Sequence, residues 1–335
     1  MIPVWVKFIV CALIIVFSGR KVAKYGDIIA DKTGLGGVWI GAVLVAITTS
    51  LPELFTGISA VTLVKAPDLT IGNLFGANTF NLFNLALLDI AYRHGPLLTA
   101  VSSGHLLTAG LSLILVALPA VCLVIGTWLS PLGIGWVGIY TPIIFLLYLF
   151  ILRMVFNYER SQRNQSQHME IVFKYEEVNL KRAYLCYGLA AIVIIGAGMW
   201  LAFVGKELAE ATGWGQSFVG SLFIAFATTL PEITVSFSAL RLGAVDLCVG
   251  NMVGSNLFNM TIVGIDDLFY TEGPILSAVS QSHVFTAMVV IIMTGIVIAG
   301  LVSRPQRKTP LKISWYSLAL IAVFLLGAYI NFAMR

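Results

Sequence analysis

Ala46-Ile47-Thr48-Thr49-Ser50-Leu51-Pro52-Glu53 returns 179 residues later as Ala225-Phe226-Ala227-Thr228-Thr229-Leu230-Pro231-Glu232. Upstream, the same offset pairs Thr33-Gly34 with Thr212-Gly213 and Gly41 with Gly220. Downstream it becomes 178. Gly72-Asn73-Leu74-Phe75-Gly76-Ala77-Asn78-Thr79-Phe80-Asn81 matches Gly250-Asn251-Met252-Val253-Gly254-Ser255-Asn256-Leu257-Phe258-Asn259. Asp89 then matches Asp267, Gly95-Pro96 matches Gly273-Pro274, and His105 matches His283. A register held over so long a stretch is an internal duplication.

Both copies sit in apolar surroundings. The 335-residue chain is 59% hydrophobic and 11% charged, against roughly 25% charged residues in a soluble domain. So few charges cannot cover a water-facing surface, so lipid is the solvent. Runs of about 20 apolar residues read as transmembrane helices. They fall at 3–19, 37–64, 70–91, 105–126, 132–153, 184–204, 216–240, 247–269, 283–302 and 313–333. The expected fold is an all-α membrane protein of ten transmembrane helices in two five-helix repeats. Residues 1–156 form the first repeat, with motifs at 41–89, and residues 183–335 the second, with motifs at 220–267. A polar linker, 157–182, joins them. Five is odd, so the second copy inserts upside down, and inverted repeats place their site near the bilayer midplane.

Several classes fall away. Lys and Arg lie between apolar runs, which leaves no nucleic-acid footprint. Cys11, Cys122, Cys186 and Cys248 are scattered without a C-x-x-C, as buried small residues rather than a disulfide or zinc framework. Residues 2–17 lack the basic start of a signal peptide and read as a helix. No His-Glu-x-x-His occurs for an intramembrane metalloprotease, and no enzyme activity is expected.

Positive charge marks the cytoplasmic side. On a ten-helix path, Lys7, Lys65, Lys206 and Arg335 fall with the termini and the other sixteen Lys and Arg on the opposite face. The linker is therefore expected in the cytoplasm and both termini outside, in a plasma or prokaryotic cytoplasmic membrane. The Asn164-Gln165-Ser166 sequon then faces the cytoplasm, as a chance match.

Glu53 and Glu232 are the anomaly. Each stands mid-span, where an acidic residue costs on the order of 2.5–3.5 kcal/mol and by default marks an ion pathway. No basic residue lies mid-span near either. Thr49 and Ser50, four and three residues before Glu53, share its helix face, as Thr228 and Thr229 share that of Glu232. Pro52 and Pro231 lack an N–H and so free the carbonyls of Thr48 and Ala227. Broken backbone at membrane depth is tolerated where it lines a cavity. Two carboxylates, four hydroxyls and free carbonyls make an all-oxygen cage suited to Ca²⁺ or Na⁺, not to zinc or copper. Gly72, Gly76, Gly250 and Gly254 allow close helix approach. Asn78, Asn81, Asn256 and Asn259 add amide groups nearby.

The paired Thr-Ser/Thr-Leu-Pro-Glu and Gly-Asn-x-x-Gly-x-Asn stretches resemble the α-repeats of the sodium/calcium exchanger family, in the calcium/cation antiporter superfamily. The resemblance covers nearly the whole chain. It implies that Glu53 and Glu232 bind Ca²⁺ and share in Na⁺ coordination. It also implies oxygens from Thr49, Ser50, Thr228 and Thr229 and from the carbonyls of Ala46 and Ala225. Asn81, Asn259 and Ser255 would line flanking sites. Two positions depart from the pattern: Ala77 stands where a serine is expected, and Asn259 where some prokaryotic relatives carry Asp.

The expected function is secondary antiport of Ca²⁺ against Na⁺ by alternating access. The alternative is Ca²⁺/H⁺ antiport, and a cation channel is the rival of another class. No cofactor is expected beyond the transported ions. The partners are those ions and the bilayer, and no protein partner is inferable. Asp89, Asp266 and Asp267 lie towards helix ends and are expected to be solvated at the interface, the alternative being that they line ion access paths. His105 and His283 begin the fourth and ninth helices as interfacial anchors. The 157–182 segment is too short for a calcium-sensing domain and reads as a solvated linker.

Overall fold

A computed structural model of the chain describes residues 2–32, 38–126, 133–165, 179–241 and 243–334. The Thr33-Gly34 step and linker residues 166–178 lie outside them. Helices α1 (Ile2–Lys32), α2 (Val38–Thr49), α3 (Leu51–Ser59), α4 (Pro67–Ala91), α5 (Gly104–Val124) and α6 (Tyr140–Gln165) make up the first half. The second half holds α7 (Leu180–Thr212), α8 (Gln216–Val219), α9 (Ala225–Thr228), α10 (Leu230–Arg241), α11 (Val245–Phe269), α12 (Ile275–Ala278), α13 (Ser282–Ser303) and α14 (Trp315–Ala333). Among the described residues the β-type pairing is limited to an isolated bridge between Ile134 and Val137.

Among the described residues seven helices are long and apolar enough to cross a membrane, and the pair Gln216–Thr228 and Leu230–Arg241, bent by 41°, makes an eighth if it is one span. At the other two expected spans, α2 with α3 is interrupted, and α11, although 25 residues long, is too polar to qualify. Leu13, Phe17, Leu189, Ile192, Leu325 and Tyr329 on α1, α7 and α14 are half or more exposed, an apolar exterior that suits lipid.

Each Pro-Glu step begins a helix. Ser50 is a turn between α2 and α3, and Thr229 a turn between α9 and α10. Pro52 and Pro231 take the second position of the new helix, where a missing N–H costs nothing. Ser50 N bonds Ala46 O at 3.1 Å, and Thr229 N bonds Ala225 O at 3.0 Å, so the two breaks share one geometry.

Helices α4 and α11 cross antiparallel at the centre. Thr70, early in α4, donates to Asp266, late in α11, at 2.6 Å. Ser102 N, beyond α4, donates to Asp246 at the start of α11, and Ser280 N, beyond α11, donates to Asp68 at the start of α4, each at 2.7 Å. His105 and His283 take part in the same joints, at 3.0 Å from Asp246 and 2.8 Å from Asp68. The histidines thus tie helix ends together across the two halves, beyond the anchoring expected of them.

Asp89 and Asp267 are fully buried, not solvated at the interface. Asp89 accepts from Leu97 N, Ser314 N and the hydroxyls of Ser314, Tyr316 and Ser317. Asp267 accepts from Ile275 N, Gly138 N and the hydroxyls of Tyr140 and Thr141. Each aspartate ends the central helix of one half and is held by the last long helix of the other half. A short polar group near a helix end looks interfacial in sequence; only the partner segments show that it is enclosed. Asp266 is buried as well.

Helix α4 lies directly on the π-turn Gly220–Ile224. A Cβ at Gly72 would come within 2.7 Å of Ser217 O, and one at Gly76 would strike the Ser221 backbone. Gly76→Leu should therefore cost about 3 kcal/mol of stability through forced backbone movement. Thermal unfolding of the detergent-solubilised protein checks this, and an unchanged transition would overturn the close-packing account.

Candidate ion-binding site

Glu53 on α3 and Glu232 on α10 are fully buried. The helix break that begins each of these helices aims its first-turn carboxylate inward. Ser50 Oγ donates to Glu232 Oε1 at 3.1 Å across the two halves. Both oxygens of Glu53, and Oε2 of Glu232, have no hydrogen-bond partner. Neither glutamate takes part in an ion pair among the described residues. Burying two unpaired carboxylates this way is tolerable only with cations or protons to neutralise them.

The threonines reach the central helices. Thr49 Oγ1 lies 3.3 Å from Asn251 Oδ1 and 3.5 Å from Ser255 Oγ on α11. Its counterpart Thr228 Oγ1 donates to Asn73 Oδ1 on α4 at 3.0 Å. Asn251 Nδ2 in turn donates to the Glu232 carbonyl at 3.3 Å and to Ser236 Oγ at 3.1 Å. Thr229 bonds back to Ala225 O at 2.8 Å within its own helix. The Ala46 and Ala225 carbonyls are engaged by these threonine hydroxyls and by backbone N–H groups. To meet an ion they would use a remaining lone pair or exchange a hydroxyl.

Asn78, Asn81, Asn256 and Asn259 form a second network where α4 and α11 cross. Asn81 Nδ2 donates to Asn256 Oδ1 and Asn259 Nδ2 to Asn78 Oδ1, each at 3.0 Å. Asn78 and Asn256 exchange amide-to-carbonyl bonds at 3.4 Å. This leaves Oδ1 of Asn81 and Oδ1 of Asn259 buried and unpartnered. Neither amide bonds a glutamate among the described residues.

Five acceptor oxygens are thus buried without donors: two on Glu53 and one each on Glu232, Asn81 and Asn259. Carboxylate, amide and hydroxyl oxygens with no nitrogen or sulfur ligand suit a hard cation. Asn73, Asn251 and Ser236 support the site but were not among its expected ligands. The signal for the two asparagines was present, because Asn73 and Asn251 recur in register.

Comparison with known proteins places this geometry in a family. The sodium/calcium exchanger protein family matches residues 3–155 and 182–334. Inner membrane protein YrbG of Escherichia coli is 28% identical over 261 residues, 76% of each chain. Sodium/calcium exchanger MaX1 of Methanosarcina acetivorans is 26% identical over 353 residues, 88% of this chain and 90% of that one. Among solved structures, the H⁺/Ca²⁺ exchanger CAX superposes with a TM-score of 0.73 at 13% identity, covering 99% of this chain and 85% of that one. The sodium-calcium exchanger NCX_Mj superposes with a TM-score of 0.62 at 20% identity, covering 98% and 99%. Matching in both halves over nearly its whole length, this membrane-spanning chain belongs to the sodium/calcium exchanger protein family.

Proposed function

We propose that this protein exchanges Ca²⁺ for Na⁺ by alternating access, with Glu53 and Glu232 as the shared cation ligands. The observation that carries the reading is the burial of Glu53 and Glu232 with three donor-free carboxylate oxygens and no basic partner among the described residues. Thr49, Ser50, Thr228 and Thr229 would add hydroxyl oxygens, Ala46 and Ala225 carbonyls. Ser255, Asn81 and Asn259 would serve flanking ions. An all-oxygen dianionic site matches Ca²⁺, and several Na⁺ ions can replace its charge.

Ten spans in two inverted repeats are part of the proposal. The antiparallel crossing of α4 and α11, with its reciprocal asparagine and aspartate bonds, supports inversion. Residues 1–156 and 183–335 would be the two repeats, with the 157–182 linker in the cytoplasm and both termini outside. The Lys7–Glu207 pair at 2.7 Å and the exposed Lys65–Glu272 pair at 3.4 Å involve two of the four basic residues assigned to the outer face. An inverted pair can expose one central site to either side in turn. An empty dianionic site resists that switch, because crossing buries unneutralised charge.

Ca²⁺/H⁺ exchange is the second reading. Ala77, where the second half has Ser255, removes a hydroxyl from one flanking position and favours it. Uptake of ⁴⁵Ca²⁺ into proteoliposomes separates the two. Uptake that needs internal Na⁺ and fails in choline-loaded vesicles at matched pH supports Na⁺ exchange. Uptake driven by a pH gradient without Na⁺ selects protons. Uptake indifferent to any opposing gradient would mean a channel.

A further inference from the structure

Asp266 is fully buried on α11, and among the described residues the only hydrogen-bond partner of its carboxylate is the hydroxyl of Thr70, 2.6 Å from Oδ2. Oδ1 has no partner. The carboxylate lies directly against Gly57, where a Cβ would come within 2.8 Å of Oδ1. Gly57 follows Glu53 by four residues on α3, so the two share a face about one helical turn apart. Beyond Gly57 the chain runs through the π-turn Ala60–Val64 to Lys65. Asp266 therefore lies between the glutamate pair and the face that carries Lys65.

The charged and titratable surroundings offer no counter-charge. On α11 the neighbour is Asp267, already bonded by Tyr140 of α6. Helix α3 contributes Glu53, a turn away. Helix α4 contributes Asp68, held by His283, and Asp89 at its far end. Helix α10 brings Glu232 and Arg241 to the other half of α11, while α5 brings Cys122 and also His105, which binds Asp246. Helix α2 has no titratable residue. No ion pair to Asp266 exists among the described residues.

The other half of the protein has no such group. At the equivalent positions Leu88 replaces Asp266, Cys248 replaces Thr70 and Ser236 replaces Gly57. Duplication does not account for a buried acid present in one copy only. A buried carboxylate without a base is neutralised by a cation or a proton. Two carboxylate oxygens and one hydroxyl fall short of the six to eight oxygens that Ca²⁺ takes, and Gly57 packs against them. A proton needs one oxygen, and the 2.6 Å contact to Thr70 serves both forms. Thr70 donates to the carboxylate, or the protonated carboxyl donates to Thr70.

We propose that Asp266 is a separate proton-binding site of the transport cycle, between the glutamate pair and the Lys65 face. This rests on the exchanger reading above. As a cation enters from that face, the Asp266 O–H breaks and its proton passes to water there; no other bond changes. The charge left behind raises cation affinity at Glu53 roughly tenfold or more, by Coulomb attraction over a helical turn at an effective dielectric near 20. Protonation reverses this, so proton and cation oppose each other. Leu88 leaves the other half without this coupling.

The test uses proteoliposomes that carry an internal pH dye, with ⁴⁵Ca²⁺ uptake driven by a pH gradient or by Na⁺. In Asp266→Asn the ratio of pH-driven to Na⁺-driven uptake should fall at least tenfold. An infrared difference spectrum, wild type minus variant, should contain a protonated-carboxyl band. If the asparagine variant does not fold, Thr70→Val serves instead. It removes a bond that is stronger to the charged form than to the neutral one, so the acid limb of the uptake profile should move to higher pH by about one unit. An unchanged ratio, an absent band, an unmoved acid limb or a wild type that moves no protons would overturn the proposal. Loss of all Ca²⁺ transport in wild type would sink the exchanger reading instead, and the infrared band would still decide whether Asp266 holds a proton.

Discussion

Glu53→Gln and Glu232→Gln should each reduce Ca²⁺ uptake by two orders of magnitude or more. Each change removes one of two carboxylates in a site without a basic group, and the remaining oxygens are neutral. At an effective dielectric near 20, a unit charge beside a divalent ion at 4 Å is worth about 8 kcal/mol before desolvation. Even a fraction of that exceeds the 2.7 kcal/mol of a hundredfold affinity change. Folding should survive, since a neutral amide is cheaper to bury than an unpaired carboxylate. The check is ⁴⁵Ca²⁺ uptake together with the Ca²⁺-dependent rise in unfolding temperature. A ligand that binds only the folded state stabilises it in proportion to the logarithm of its concentration over Kd. Wild type should gain stability with Ca²⁺, and both variants should lose that gain. Activity that survives in the variants would mean the site is misplaced.

The second large effect is on stability. Asp89→Ala and Asp267→Ala should each cost about 3–5 kcal/mol, the range for breaking a buried charged network. Removing Asp89 strands two backbone N–H groups and three hydroxyls that converge on it. Removing Asp267 strands two backbone N–H groups and two hydroxyls on the other side. These bonds hold α14 to the end of α4, and α6 to the end of α11. Their loss should lower the unfolding temperature without altering the cation competition of molecules that remain folded. Ion competition changed at unchanged stability would instead move these aspartates into the transport path.

The four motif copies supplied most of the candidate site residues from the chain itself. Glu53 and Glu232 could be found because a carboxylate in an apolar run has few reasons to be there. Their hydroxyl neighbours followed from helical spacing, and the Pro-Glu steps announced the two helix breaks. The helix that each threonine meets could not be read this way. Thr49 reaches Asn251 and Thr228 reaches Asn73 only because α4 and α11 cross between the two broken helices. Spacing also misjudged the aspartates: position near a helix end says nothing about the segment that folds over it.

Composition, periodicity and duplication are local or self-referential properties, so the chain alone yielded the membrane environment, the helical class, the repeat and the anomalous glutamates. Tertiary structure alone decided which half supplies each partner. It joined Ser50 of one repeat to Glu232 of the other, and paired the asparagines of the two halves with each other. It also enclosed Asp89 and Asp267, and set Asp266 against Gly57. The physical reason is that hydrogen bonding and burial depend on distances between segments nearly 180 residues apart, and in a duplicated chain either copy offers the same donors.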